Sequence, residues 1–207
     1  RPVAVHSDSR MATNACGGWN VDGCEGTAYC PPRCPRFVGK HGTNYLIQPI
    51  PAADDPPEAL VEMYLDYPQE HRSMGLPPLR EREIRDWLRT LHAGGTNLLA
   101  WDDDRVVGHT GFAPHDAEEP EFLVYVDPAY HGRGLGTELT RHAIAYAAAA
   151  GHRALRLNVA NENRTAIAVY RTLGFQIVDR AGIELEMRLP LDGPVAVESQ
   201  LAPAARA

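Results

Sequence analysis

Apolar residues recur along this chain with two periods, and the switches between them mark its elements. Tyr45-Leu-Ile-Gln-Pro-Ile50 reads as an opening strand. From Glu58 to Tyr67, Leu60, Val61, Tyr64 and Leu65 fall at helical spacing, and Ile84, Trp87, Leu88 and Leu91 do the same within Glu81 to His92. The proline-punctuated stretch from Pro68 to Arg80 joins these two helices. Strands are expected at Asn97 to Trp101, Arg105 to Phe112 and Glu121 to Val126. The run Asp102-Asp-Asp104 suits a tight turn better than a metal site. The stripe Leu135, Leu139, Ala143, Tyr146, Ala147 and Ala150 predicts a long helix that Gly151 stops. A strand at Ala154 to Val159, a helix at about Asn163 to Thr172, and strands at Phe175 to Val178 and Ile183 to Leu189 follow. Strand, two helices, three strands, helix, strand, helix and two strands predict an α/β fold, with a mixed sheet and helices on both faces.

Composition divides the chain into three parts. Residues 1–42 are rich in Gly, Cys, Pro and Asn and show neither period, residues 43–191 carry all the elements above, and residues 192–207 read as a flexible tail. At 207 residues there is room for one domain and a short appendage. No apolar run approaches the roughly 20 residues that cross a bilayer, and Arg1 to Arg10 lacks the apolar stretch of a secretory signal. A cytoplasmic protein without a membrane partner is therefore expected. The formal charge of −7 argues against nucleic-acid binding, which needs a dense basic face, but leaves a small cationic acceptor open.

The cysteines Cys16, Cys24, Cys30 and Cys34 crowd into the first part. In a reducing compartment four clustered thiols favour a metal over disulfides. Tetrahedral thiolate ligation makes structural zinc the expected occupant, with His6 or His41 able to replace one thiol. Two disulfides or four unligated thiols are the alternatives. The purpose of this arm stays open between a structural cap, a homodimer contact and a surface for a partner.

The chemistry concentrates in His131-Gly132-Arg133-Gly134-Leu135-Gly136, a glycine loop that runs from a strand into a helix N-terminus. Uncapped N–H groups and the positive helix end make such a loop an anion site, and Arg133 adds a guanidinium. Gly136-Thr137-Glu138 lacks the lysine of a nucleotide triphosphate loop, and Thr137 stands where a dinucleotide fingerprint needs glycine.

Val126-Asp-Pro, this loop, and the later segment Asn163-x-x-Ala166-x-x-x-Tyr170-x-x-x-Gly174-Phe175 together resemble the GNAT (GCN5-related N-acetyltransferase) superfamily across about residues 45–190. His131 stands where that family carries Gln or Arg. The resemblance implies a mixed, mostly antiparallel sheet splayed between two parallel strands, here Glu121 to Val126 and Ala154 to Val159. It implies acetyl-CoA as cosubstrate, held by backbone groups near Val124 and Val126, by the loop from His131 to Thr137, and by Asn163. It further implies a primary amine acceptor, on a small molecule or a peptide, with Tyr170 as general acid and Glu121 as general base. His109 and His115 are alternative bases. Tyr64, Tyr67, His71 and Trp87 are candidates to line the acceptor cavity beside Pro68 to Arg80, although core packing on helical stripes explains Tyr64 and Trp87 better. A non-catalytic acyl-CoA sensor that recruits a partner through the arm is the competing function.

Overall fold

A computed structural model of the chain describes residue 19 and residues 21–50, 55–72 and 76–206. Its strands are β1 (Arg36–Val38), β2 (Asn44–Pro49), β3 (Thr96–Asp102), β4 (Arg105–Ala113), β5 (Glu121–Val126), β6 (Ala154–Ala160), β7 (Gln176–Ala181) and β8 (Glu184–Pro190). The helices are α1 (Glu58–Leu65), α2 (Glu81–Gly94), α3 (Leu135–Ala149), α4 (Arg164–Thr172) and α5 (Pro194–Gln200). The strands form one sheet in the order β1-β2-β3-β4-β5-β6-β8-β7. Every neighbouring pair is antiparallel except β5 and β6, which run parallel. Asp103, in the two-residue turn between β3 and β4, adopts φ 52°, a left-handed conformation that a short polar side chain tolerates.

Alternation along the central strands buries both faces of the sheet. Leu99 and Val106 pack with Leu60, Tyr64, Ile84 and Leu88 of α1 and α2, while Leu98, Ala100 and Val107 pack with Leu135 and Leu139 of α3. A second cluster under α3 and α4 joins Phe122, Leu157, Tyr170, Phe175 and Met187.

The ends of the chain depart from the expected division. Arg36–Val38 pairs with Asn44–Leu46 as an edge strand, so part of the expected arm belongs to the sheet. The C-terminal stretch expected to fray forms α5, which lies against α3 and buries Ala196 and Ser199. Both departures arise on α3. Beyond its expected apolar stripe, Glu138, Thr140 and His142 are also buried, because the N-terminal segment and α5 cover the helix face that points away from the sheet.

A buried ion pair fastens that cover. Arg33 donates through Nε and Nη2 to the two carboxylate oxygens of Glu138, at 2.7 and 2.9 Å, and through Nη1 to the Ser199 carbonyl at 2.8 Å. Both side chains are almost fully buried. Burial pushes the Glu138 carboxyl up, but the hydrogen bonds and charge of Arg33, with His142 and Arg206 behind them, outweigh it and hold the group below its ordinary value. Burial pushes the His142 imidazole down to about 4. Its ring nitrogens lie 3.0 and 3.2 Å from the carbonyls of Glu138 and Cys34, and the neutral ring donates to one of them.

Replacing Arg33 by Met strands the Glu138 charge and is expected to cost about 3–5 kcal/mol in urea denaturation, most of it recovered when Glu138→Leu is added. Because the folded carboxyl titrates below its unfolded value, its contribution is full above the unfolded carboxylate pKa. Wild-type stability is therefore expected to fall with acid through the folded pKa, and a denaturation series against pH should show this loss much reduced in the double variant.

Candidate functional site

Strands β5 and β6 pair at one position alone, Glu121 with Arg156, and the Arg156 N–H donates to the Pro120 carbonyl just before it. Beyond that point they part, although β5 remains paired to β4 through Val126 and β6 to β8 along its whole length. The wedge between them opens toward the C-terminal ends of both strands, where the N-termini of α3 and α4 begin. Peptide groups of Leu123 to Val126 thus line an edge without a strand partner, in the middle of the sheet.

At the mouth of the wedge, Gly134 is the N-cap of α3 with φ +91°, and no side chain caps the helix. Gly132 also has positive φ, +75°, and a Cβ there would meet only open space. The first-turn amides of α3 have no intrahelical acceptors, so the loop presents N–H groups and a helix dipole together. The segment between β1 and β2 backs this loop: the Lys40 N–H donates to the Arg133 carbonyl at 3.1 Å, and Phe37 lies 3.3 Å from where a Gly134 Cβ would be.

The loop side chains turn onto the protein. A ring N–H of His131, at Nε2, donates to the Val126 carbonyl at 3.0 Å, tying the loop to the strand end. The Arg133 guanidinium lies over the Tyr130 ring at 4.5 Å and donates to the Ala129 carbonyl at 3.0 Å. Thr137 lies in the first turn of α3. At the second helix, Asn163 is the N-cap of α4 and its Oδ1 accepts from the Ala166 N–H at 3.1 Å.

Tyr170, 9% exposed, sits two turns along α4 against Phe122 and Phe175. Burial, reinforced by Tyr67, pushes its phenol well above the ordinary value. Tyr125 on β5 is raised first by burial and then by Tyr67, Tyr170 and Glu121, which brings both expected catalytic side chains into the field around one phenol. Glu121 is exposed at the paired end of the wedge, where the Asn158 amide donates to its Oε1 at 3.3 Å. Its neighbour Glu119 is held down to about 2, first by the Arg188 hydrogen bonds and then by Arg153, so it is a fixed anion.

Sequence reasoning overlooked Tyr125. It shares a strand face with Glu121, a period-two relation that was available, and it stacks edge-on with Tyr64, Tyr67 and Trp87. Arg72 was also overlooked. It donates to the carbonyls of Tyr64 and Tyr67, at 2.9 and 2.7 Å, and to those of Pro77 and Pro78. The His71 side chain lies outside the described residues.

One expected alternative base is corrected. His109 does not serve as a base: it is fully buried, accepts from the Tyr64 hydroxyl at Nδ1 (2.7 Å), and donates from Nε2 to Asn97 Oδ1 (3.0 Å). Burial holds it neutral, at about 3. His115 is an exposed turn residue whose Nδ1–H donates to the Gly94 carbonyl at 3.1 Å. Structural zinc finds no support among the described residues. Cys16 lies outside the described residues, and among the described residues no three His, Cys, Asp or Glu side chains gather as a metal site. Cys30 Sγ accepts instead from the Thr27 N–H at 3.2 Å, and Cys24 and Cys34 engage separate elements through their carbonyls.

The model of the Acetyltransferase (GNAT) family matches residues 58–175. A mycothiol acetyltransferase of Segniliparus rotundus is 30% identical over 152 residues, covering 70% of this chain and 56% of that protein. One from Corynebacterium glutamicum is 32% identical over 102 residues, covering 49% of this chain and 34% of that protein. The chain thus spans only about a third of several curated relatives. Among solved structures, the GNAT domain of S. lividans PAT superposes with a TM-score of 0.63 at 20% identity, covering 75% of this chain and 95% of that one. PaiA N-acetyltransferase from Thermoplasma acidophilum, in complex with coenzyme A, gives 0.58 at 20% identity, covering 70% and 98%. At such identities the likeness is one of fold.

Gly134→Ala forces a side chain into left-handed backbone against Phe37 and is expected to cost about 1–2 kcal/mol in thermal unfolding. Gly132→Ala meets the same backbone penalty in open space, so it should cost no more than Gly134→Ala.

Proposed function

The chain belongs to the acetyltransferase (GNAT) family, and from that premise we propose that it transfers an acetyl group from acetyl-CoA to a primary amine. The observation that carries this reading is the parting of β5 and β6 above the uncapped N-terminus of α3. The fit to the cosubstrate is chemical: loop amides suit a pyrophosphate, and the unpaired β5 edge suits the amide-bearing pantetheine arm. When bound, acetyl-CoA supplies the thioester. The amides of Gly132 to Thr137 would receive its phosphates, Val124 and Val126 its pantetheine through backbone groups, and Asn163 would donate from its side chain.

Transfer requires a neutral amine at the thioester carbonyl, departure of the thiolate and loss of the amine proton. Tyr170 is the proton donor to the departing sulfur: its phenol carries a proton at neutral pH and it lies on α4, beside the Phe122 end of β5. Glu121 receives the amine proton, directly or through water, from the solvent-facing end of the wedge. Tyr67, Trp87 and Tyr125 form the aromatic wall beside the acceptor, and Arg72 holds the loop over it. The acceptor is a primary amine on a small molecule or a peptide. A CoA-binding module without chemistry is the rival. The match to the acetyltransferase family model favours the enzyme.

Free CoA released from acetyl-CoA, measured across a panel of amines, tests this directly; tight CoA binding with no turnover on any amine sinks it. Tyr170→Phe is expected to lower kcat by roughly 100-fold, in the range of a lost general acid, while CoA affinity stays within a few-fold. An unchanged kcat removes the acid role.

A further inference from the structure

Away from the wedge, α4 and the β7–β8 hairpin enclose a groove of about 500 Å³ whose walls include Arg164, Arg171, Arg180 and Asn161 over Ile167 and Ile177. This volume lies in the range of small-molecule sites. No acidic side chain is among the residues that line it. Arg164 and Arg171 stand seven residues apart, two turns of helix, with Ile167 between them on the same stripe. Tyr170 precedes Arg171 by one residue, about 100° around the axis, so α4 turns one face to the wedge and another to the groove.

Arg180 arrives by a different device. In a regular strand Ile177 and Arg180, three apart, would point to opposite faces of the sheet. The register slips between Ile177 and Asp179, so that Ile177 stands opposite Met187 and Arg180 opposite Leu185. Met187 and Leu185 share the buried face, and the bulge therefore turns Arg180 in over the groove. Asn161 fixes the hairpin end, its Nδ2 donating to the Gly182 carbonyl at 3.0 Å. Among the described residues these three arginines have no acidic partner, whereas Arg85, Arg89, Arg153 and Arg188 are all in ion pairs. Three like charges around an apolar floor, in a chain of net charge −7, form a site whose complement is an anion.

We propose that this groove binds a multiply charged anionic small molecule, an organic phosphate or polycarboxylate, at a place distinct from the glycine loop. The test uses the full chain with the loop saturated by CoA, titrated calorimetrically with inorganic pyrophosphate and, separately, with citrate. At least one probe is expected to bind in a 1:1 ratio. Arg171→Gln combined with Arg180→Gln should weaken it by roughly tenfold or more, whereas Arg82→Gln on the outer face of α2 should not. Pyrophosphate alone assigns the site to phosphates, citrate alone to carboxylates, and binding of both to anionic charge in general. The proposal fails if neither probe binds the CoA-loaded protein, or if the double variant binds as tightly as the wild type.

Discussion

The proposed chemistry of this molecule depends on two parallel strands that are joined at one end and kept apart at the other. Opening a sheet at its middle exposes peptide groups that sheet formation would otherwise satisfy, and such groups are costly unless water or a ligand reaches them. The outer ladders make the opening sustainable. β4 holds β5 to its last residue and β8 holds β6 along its whole length, so neither strand relies on the other. Side chains bridge the gap that the backbones leave: Phe122 of β5, Leu157 of β6, and Tyr170 and Phe175 around α4 share one apolar cluster. The same cluster that tolerates the wedge also positions the phenol beside it.

The glycine loop depends in turn on a cover that lies far away in sequence. Arg33 and Glu138 are 105 residues apart, yet their ion pair fixes the N-terminal segment across α3. From there the chain runs through β1 to Lys40 and Phe37, which brace the loop from behind. Stability and loop geometry are thus coupled through α3, whose outer face carries the ion pair and whose first turn follows the glycine loop.

Most of the element order was legible in the sequence, because strands and helices buried on defined faces leave clean periods. The motifs on either side of the Leu135 helix carried the resemblance to the GNAT family, and it was that resemblance that implied the parted parallel strands. What could not be read were relations between distant segments. Glu138 looks like an ordinary first-turn helix acid until Arg33 is found beside it. The short Arg36–Val38 strand is too brief to show a period. The C-terminal stretch reads as weakly structured because its helix is stabilised by docking on α3 rather than by its own propensity. Clustered cysteines suggested a metal, but spacing alone does not establish that the thiols converge. His109 shows the opposite limit, since a histidine on a central strand carries no sign of whether both its nitrogens are already engaged.

Backbone hydrogen exchange of the full chain, with and without acetyl-CoA, addresses the wedge most directly. If acetyl-CoA enters between β5 and β6 with its phosphates on the loop, amide exchange should slow at Leu123 to Val126 and at Gly132 to Thr137, with little change in β2 and β3. Protection confined to other segments, or none at saturating acetyl-CoA, would contradict the wedge as the site of acyl transfer.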